Sequence, residues 1–201
     1  MKLKWISERG LLAPHANPAG LARRVLEAGF PEVEDCAGAE DGVLVHLLPG
    51  HAPGADLLRL LQTADLPADA LPARLVEIPV RYGGTDGPDL ARLAALAGIS
   101  EARATGLHSI AEYRVAFLGF QPGFAYLAGT PPVLTAPRLA TPRVRVPAGS
   151  LAIGGPYSGI YPAAGPGGWH IIGRTEAMLF DVRRDPPALL APGDRVRFVP
   201  L

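Results

Sequence analysis

The sequence predicts an α+β protein in two parts: a small α/β unit followed by a β-barrel or sandwich, with the boundary near residue 72. Up to about residue 65, helix-spaced apolar residues alternate with short strand-like runs. The stretch "LPADALPARL" (66–75) then carries two prolines and no long apolar periodicity, as a linker does. From 119 to 173, glycine and proline punctuate short apolar runs, the pattern of a β-structure with many tight corners. With 201 residues, 48% of them apolar, there is enough material for the core of one domain or two small ones.

Each element has its own signal. "NPAGLARRVLEAG" offers Asn17 as N-cap, Pro18 at the first helical position and Gly29 as a stop, which together mark about three turns of helix. "EVEDC" and "GVLVHLL" have strand composition around a turn-like "GAEDG", and "ADLLRLLQTA" has the spacing of an amphipathic helix. Beyond the linker, "RLVEIPV" reads as a strand. "YGGTDGPDLARLAALAG" reads as a glycine turn, a proline-started helix and a stop at Gly98. Ser100 caps a second short helix, "EARATGLH", ahead of the strand "YRVAFLGF". The runs "RVRVPAG", "SLAIGG" and "GIYPA" supply further strands, and "APGDRVRFVPL" supplies a turn and a closing one.

Composition excludes several functions. No apolar run is long enough to cross a bilayer and "MKLKWISERG" lacks the apolar core of a signal peptide, so a cytoplasmic location is expected. Cys36 is the single cysteine, which rules out an internal disulfide and a cysteine-based zinc cluster; a small buried hydrophobe is its expected role. Lys2 and Lys4 are the only lysines, which argues against a Schiff-base, phosphate-loop or biotin-carrying lysine. Net charge is zero, but no acidic residue falls between Glu112 and Glu176, while Arg114, Arg138, Arg143, Arg145 and Arg174 do. That imbalance points to an anionic ligand or partner.

Within this acid-free half, "FLGFQPGFAYLAG" (117–129) places four aromatic rings and a Pro-Gly turn in a segment without charge. Phe120, Phe124 and Tyr126 can wall a pocket, with Gln121 as the one amide; plain barrel core with a turn is the competing reading. "GGPYSGIYP" (Gly154, Gly155, Ser158, Tyr161) and "GPGGWHIIG" (Gly167, Gly168, Trp169, His170) let backbone approach a ligand and offer amides to an anion, or are simply turns. As a strand, "RVRV" turns Arg143 and Arg145 to one side. His108 is the first candidate for a titrating group, with Glu112 four residues on as a possible helical partner, and His170 beside Trp169 is the second. A hydrogen-bonded, partly buried histidine is the alternative role for His108.

The series "IPVRYGGTDGPDL", "LHSIAEYRVAFLGFQPGFAYL", "TPRVRVPAGSLAIGGPYSGIYP", "GPGGWHIIGRT" and "PGDRVRFVP" closely resembles the family of the B subunit of prokaryotic ATP-dependent 5-oxoprolinases. That family also holds the inhibitor of a sporulation histidine kinase, proteins labelled as the first subunit of allophanate hydrolase, and a carboxyltransferase subdomain of urea carboxylase. The resemblance is dense from about 77 to 200. It implies a ferredoxin-like α/β domain over 1–72 and a cyclophilin-like β-barrel over 73–201. It implies a partner, the homologous C subunit, and a separate A subunit, the three together opening 5-oxo-L-proline to L-glutamate at the expense of ATP. It also leaves two other roles open, a kinase-docking regulator and a carboxyltransferase-type component acting on other amides with an external biotin carrier.

The residues set out for the site on this basis are His108, Arg143 and Arg145 for catalysis. For substrate binding they are Phe120, Gln121, Gly123, Phe124, Tyr126, Gly154, Gly155, Ser158, Tyr161, Gly167, Gly168, Trp169, His170 and Arg174. No metal ligand is assigned. The acid-free half offers no carboxylate for magnesium, so Mg-ATP is expected to be held with or by the partner, and this chain to be inactive alone. The chain departs from the family pattern at Ala125 (commonly Pro in "PGFPYL"), at Tyr157 and Ser158 (commonly Gln-Thr) and at His170 (commonly Gln).

Overall fold

A computed structural model describes residues 2–66 and 74–201. The chain divides into two compact units, Met1–Ala73 and Arg74–Leu201. Most of the expected linker, 67–73, lies outside the described residues.

In the first unit the order is β1 (Lys4–Trp5), β2 (Gly10–Pro14), α1 (Pro18–Ala28), β3 (Val33–Gly38), β4 (Gly42–Leu47) and α2 (Ala55–Thr63). The strands form an antiparallel sheet in the order β1-β2-β4-β3. The start of α1 follows its sequence signals: the Asn17 side chain accepts the Gly20 N–H, proline occupies the first turn, and Gly29 closes the helix in the left-handed region at φ 63°. Leu21, Ala22 and Val25 of α1 and Leu57 and Leu61 of α2 pack with Leu11, Ala13, Val43, Val45 and Leu47 of the sheet. Cys36 joins this core, and burial pushes its thiol up to about 12, away from reactivity.

The second unit runs β5 (Leu75–Tyr82), α3 (Leu90–Leu96), α4 (Glu101–Ile110), β6 (Tyr113–Leu118), β7 (Ala125–Ala128), a 3₁₀ turn (Pro132–Leu134), β8 (Arg143–Val146), β9 (Ser150–Gly154), β10 (Tyr157–Ile160), β11 (Gly165–Gly167), β12 (His170–Arg174) and β13 (Arg195–Pro200). Seven strands close a barrel in the order β10-β7-β6-β13-β5-β12-β9, and β8 pairs separately with β11. The β5–β13 pair is parallel; the other barrel pairs are antiparallel.

Strand β9 and all of β12 except Arg174 are buried on both faces, which explains the apolar runs Leu151–Ile153 and Ile171–Ile172 within them. Leu151, Ile153 and Ile172 join the main core with Ile78, Val80, Leu93, Tyr113, Leu127, Val196 and Phe198. Ala152 and Ile171 join a second cluster with Phe124, Val146, Tyr161 and Trp169. The helix expected from Pro88 begins at Leu90 instead. Asp89 holds its N-cap position, its carboxylate drawn off to other elements of the barrel.

Candidate functional site

The aromatic stretch 117–129 forms the end of β6, a tight connection and β7. Its geometry follows from two hydrogen bonds. The Gln121 N–H donates to the Gly119 carbonyl (2.8 Å) across Phe120, and the Phe124 N–H donates to the Gln121 carbonyl (2.9 Å) across Pro122-Gly123. The second is a proline-glycine β-turn with Gly123 at φ 81°, where an added Cβ would come within 2.7 Å of the Phe180 Cβ. The first is a γ-turn with Phe120 at φ 66°, the rare positive-φ kind. Phe120 is the one non-glycine residue at positive φ among the described residues, and it is 57% exposed. A bulky residue held in that region marks a place where the fold over-determines a local conformation.

Beneath Phe120 lies a cavity of about 130 Å³ lined by Phe120, Phe124, Tyr126, Arg138, Tyr161, Gly167, Gly168 and Trp169. The walls are interlocked edge-to-face rings, with centroid separations of 5.3 Å (Phe120–Phe124), 5.4 Å (Phe124–Trp169), 5.5 Å (Phe124–Tyr161 and Tyr126–Trp169) and 5.9 Å (Phe120–Tyr161). Glycines make room for them. A Cβ on Gly154 would lie 2.5 Å from the Trp169 indole, one on Gly159 would lie 2.9 Å from Phe124 Cζ, and one on Gly167 would overlap the Tyr161 hydroxyl. Burial raises the Tyr161 phenol pKa, opposed by the Trp169 backbone and the nearby Arg138 and Arg143 charges. The cavity is thus walled by aromatic rings and glycine backbone and carries one charge, the exposed guanidinium of Arg138, which forms no ion pair among the described residues. The Leu139 N–H donates to the Gly168 carbonyl (2.7 Å), fixing the Arg138 segment beside the Gly167-Gly168 wall.

The structure therefore brings together Phe120, Phe124, Tyr126, Tyr161, Gly167, Gly168 and Trp169 and places the other sequence candidates elsewhere. Gly123 packs on Leu179 and Phe180, and Gly155 is a left-handed turn at φ 60°. Gln121 Nε2 lies near Gly165. Arg145 and Arg174 are exposed outside the cavity. Arg138 lies in the acid-free stretch but is not among the sequence candidates, because nothing local in "TAPRLA" distinguishes it from a surface arginine.

The structure gives His108, Ser158, Glu112 and Arg143 surroundings that differ from those expected. His108 is not a titrating group near neutral pH. It sits in the last turn of α4, 1% exposed, with Nδ1 2.9 Å from the Tyr82 hydroxyl and Nε2 3.0 Å from Ser158 Oγ. Its ring stacks on Phe198, and burial pulls its pKa down to about 3, keeping the imidazole neutral. Ser158, expected to touch substrate, is fully buried and completes this network, its Oγ 2.9 Å from Thr130 Oγ1. The His108–Glu112 pair does not form, because α4 ends at Ile110 and Glu112 pairs with Arg195 on β13.

Arg143 is likewise no free cation. Its Nη2 donates to Asp89 Oδ1 (2.7 Å), while Asp89 Oδ2 accepts the Ile171 N–H (2.7 Å). This clasp joins the start of α3, β8 and β12 just behind Trp169 and gives Arg143 a positioning role. His170 pairs with Ile153 on β9, so it takes the face opposite Trp169 and turns into the barrel. Its Nε2 donates to the Pro137 carbonyl (2.8 Å), and its buried Nδ1 has no partner among the described residues.

The model of the carboxyltransferase domain, subdomain C and D, matches residues 10–190. The chain belongs to this family. It is similar to the B subunit of 5-oxoprolinase from Escherichia coli O157:H7, with 49% identity over 182 residues, covering 90% of this chain and 83% of the relative. Among solved structures, TTHA0988 matches with TM-score 0.82 and 39% identity over 96% of this chain, which spans only 40% of the TTHA0988 chain. The urea carboxylase of Kluyveromyces lactis matches with TM-score 0.76 at 16% identity, covering 99% of this chain and 21% of that one; at that identity the likeness is one of fold alone. Among the described residues no helix is long and apolar enough to cross a membrane.

Proposed function

We propose that this chain is the B subunit of an ATP-dependent 5-oxoprolinase and supplies the substrate-ring pocket of a complex that opens 5-oxo-L-proline to L-glutamate. The observation that carries the reading is the 49% identity, over nine-tenths of the chain, to a protein bearing that name. The site agrees with it in character: an aromatic-walled cavity with one cation suits a small cyclic amide that carries an anionic group. In fold terms the first unit is a ferredoxin-like domain whose outer strand position is taken by β1, and the barrel is cyclophilin-like.

Magnesium-ATP does not fit the residues around this cavity. No carboxylate lines it, and among the described residues no group of three or more His, Cys, Asp or Glu could hold a metal ion. On this reading Mg-ATP is held with or by the partner subunit, in a cytoplasmic complex. This chain's own part is to bind and orient the ring, exclude water around it, and stay inert without its partners. Reconstitution tests this. Co-expressed with the C and A subunits of its own organism, the chain should support ATP-dependent glutamate release from 5-oxo-L-proline, while the isolated chain should release none. An assembled complex that releases no glutamate would end the reading.

A further inference from the structure

The aromatic cavity holds one cation without a counter-charge, and the shape and chemistry around it restrict what would supply one. A cavity of about 130 Å³ is close in size to the roughly 150 Å³ protein cavities that take up benzene, so it admits one small ring and little more. Its walls are ring faces and edges with glycine backbone between them, which suits a flat, uncharged ring body. Arg138 alone brings charge to the lining, and it forms no ion pair among the described residues. A guanidinium is a planar fork of donors, matched by the two coplanar oxygens of a carboxylate. A single such fork balances a monoanion, whereas a polyphosphate calls for several cations or a metal.

We infer that this cavity is a binding site for a single-ring monocarboxylate, the ring set against the aromatic wall and the carboxylate paired with Arg138, which is the specificity-determining residue. The inference rests on the proposed function for its natural ligand, because 5-oxo-L-proline is a five-membered lactam bearing one carboxylate. Arg138 is exposed to solvent, so the charged group paired with it stays at the surface, where pairing costs little desolvation. The reacting lactam is then buried against the aromatic wall while the carboxylate is read at the surface.

Trp169 is the natural probe. The chain has two tryptophans, and Trp5→Phe leaves Trp169 as sole reporter. In that background, fluorescence titration should show saturable binding of 5-oxo-L-proline. 2-Pyrrolidinone, the same ring without the carboxylate, should bind at least roughly 10-fold more weakly. Arg138→Ala should weaken 5-oxo-L-proline by a similar factor and leave 2-pyrrolidinone unchanged; Arg138→Lys should recover part of the loss. In the assembled complex Arg138→Ala should raise KM more than it lowers kcat. Because Arg138 is exposed, its removal should not move the unfolding transition. Equal binding of both ring compounds, an unaltered affinity in Arg138→Ala, no binding at millimolar ligand, or displacement by inorganic phosphate at equal or lower concentration would each overturn the inference. Failure of the two readings is distinguishable. Binding through Arg138 without glutamate release removes the 5-oxoprolinase function and leaves this site; turnover with KM indifferent to Arg138→Ala does the reverse.

Discussion

Acidification should destabilise the barrel unit through His108. The imidazole is held neutral, with its pKa lowered by burial from 6.5 to about 3. Between those values the unfolded chain carries the proton and the folded one does not. The stability contribution is therefore complete above about 6.5 and is lost as pH falls towards 3, at about 1.4 kcal/mol per pH unit. From pH 8 to pH 5 this amounts to about 2 kcal/mol. The groups facing the ring are Tyr82, Tyr113, Ser158 and Phe198, none of which can supply a compensating negative charge in that range. His108→Gln removes the titration and keeps one polar contact. Urea unfolding followed by Trp169 fluorescence in the Trp5→Phe background should show the parent losing about 2 kcal/mol more than the variant over this interval. At pH 8 the variant should itself be less stable by about 1–3 kcal/mol, from the unmade hydrogen bond. Should His108→Gln compromise folding, the parent's imidazole nitrogen shifts at pH 4.5 should still be those of a neutral ring. Parallel pH dependences in parent and variant, or a protonated ring at pH 4.5, would refute the reasoning.

Asp89→Ala breaks the clasp to Arg143 and the Ile171 amide; an uncompensated half-buried guanidinium and a freed amide should cost about 3 kcal/mol in thermal unfolding and red-shift Trp169 emission. Gly154→Ala places a methyl 2.5 Å from the indole and should cost about 1–3 kcal/mol while abolishing ligand-dependent fluorescence changes. Phe120→Gly releases the positive-φ turn, so stability should stay within about 1 kcal/mol of the parent while ligand affinity falls, since a wall of the cavity is gone. Cys36 should react with a thiol reagent only on unfolding, because burial holds its pKa near 12.

The elements were legible where local chemistry is decisive. Asn17, Pro18 and Gly29 bound α1, and Ser100 caps α4 through the Arg103 N–H, because caps and left-handed stops are satisfied within a few residues of themselves. The start of α3 was less so. Pro88 is a good first-turn residue, but Asp89 accepts hydrogen bonds from Arg143 and Ile171, 54 and 82 residues away, and no local pattern encodes that. Barrel closure through the parallel β5–β13 pair is non-local in the same way.

For the site, the difference between its aromatic and polar residues has one physical cause. An aromatic wall is dictated by size and by the glycines that make room for it, both written in the composition of 117–129 and 154–169. A polar group's role depends instead on its partner. His108 looks like an acid–base group until Tyr82 and Ser158 enclose it, and Arg143 looks like a free cation until Asp89 arrives from another element. Arg138 looks like any surface arginine until the cavity opens beside it. The acid-free stretch holds several arginines, but the one that lines the cavity is set against ring faces and glycine backbone rather than against a carboxylate. On the proposed reading, that arrangement gives this chain charge selection beside the cavity rather than acid–base chemistry within it.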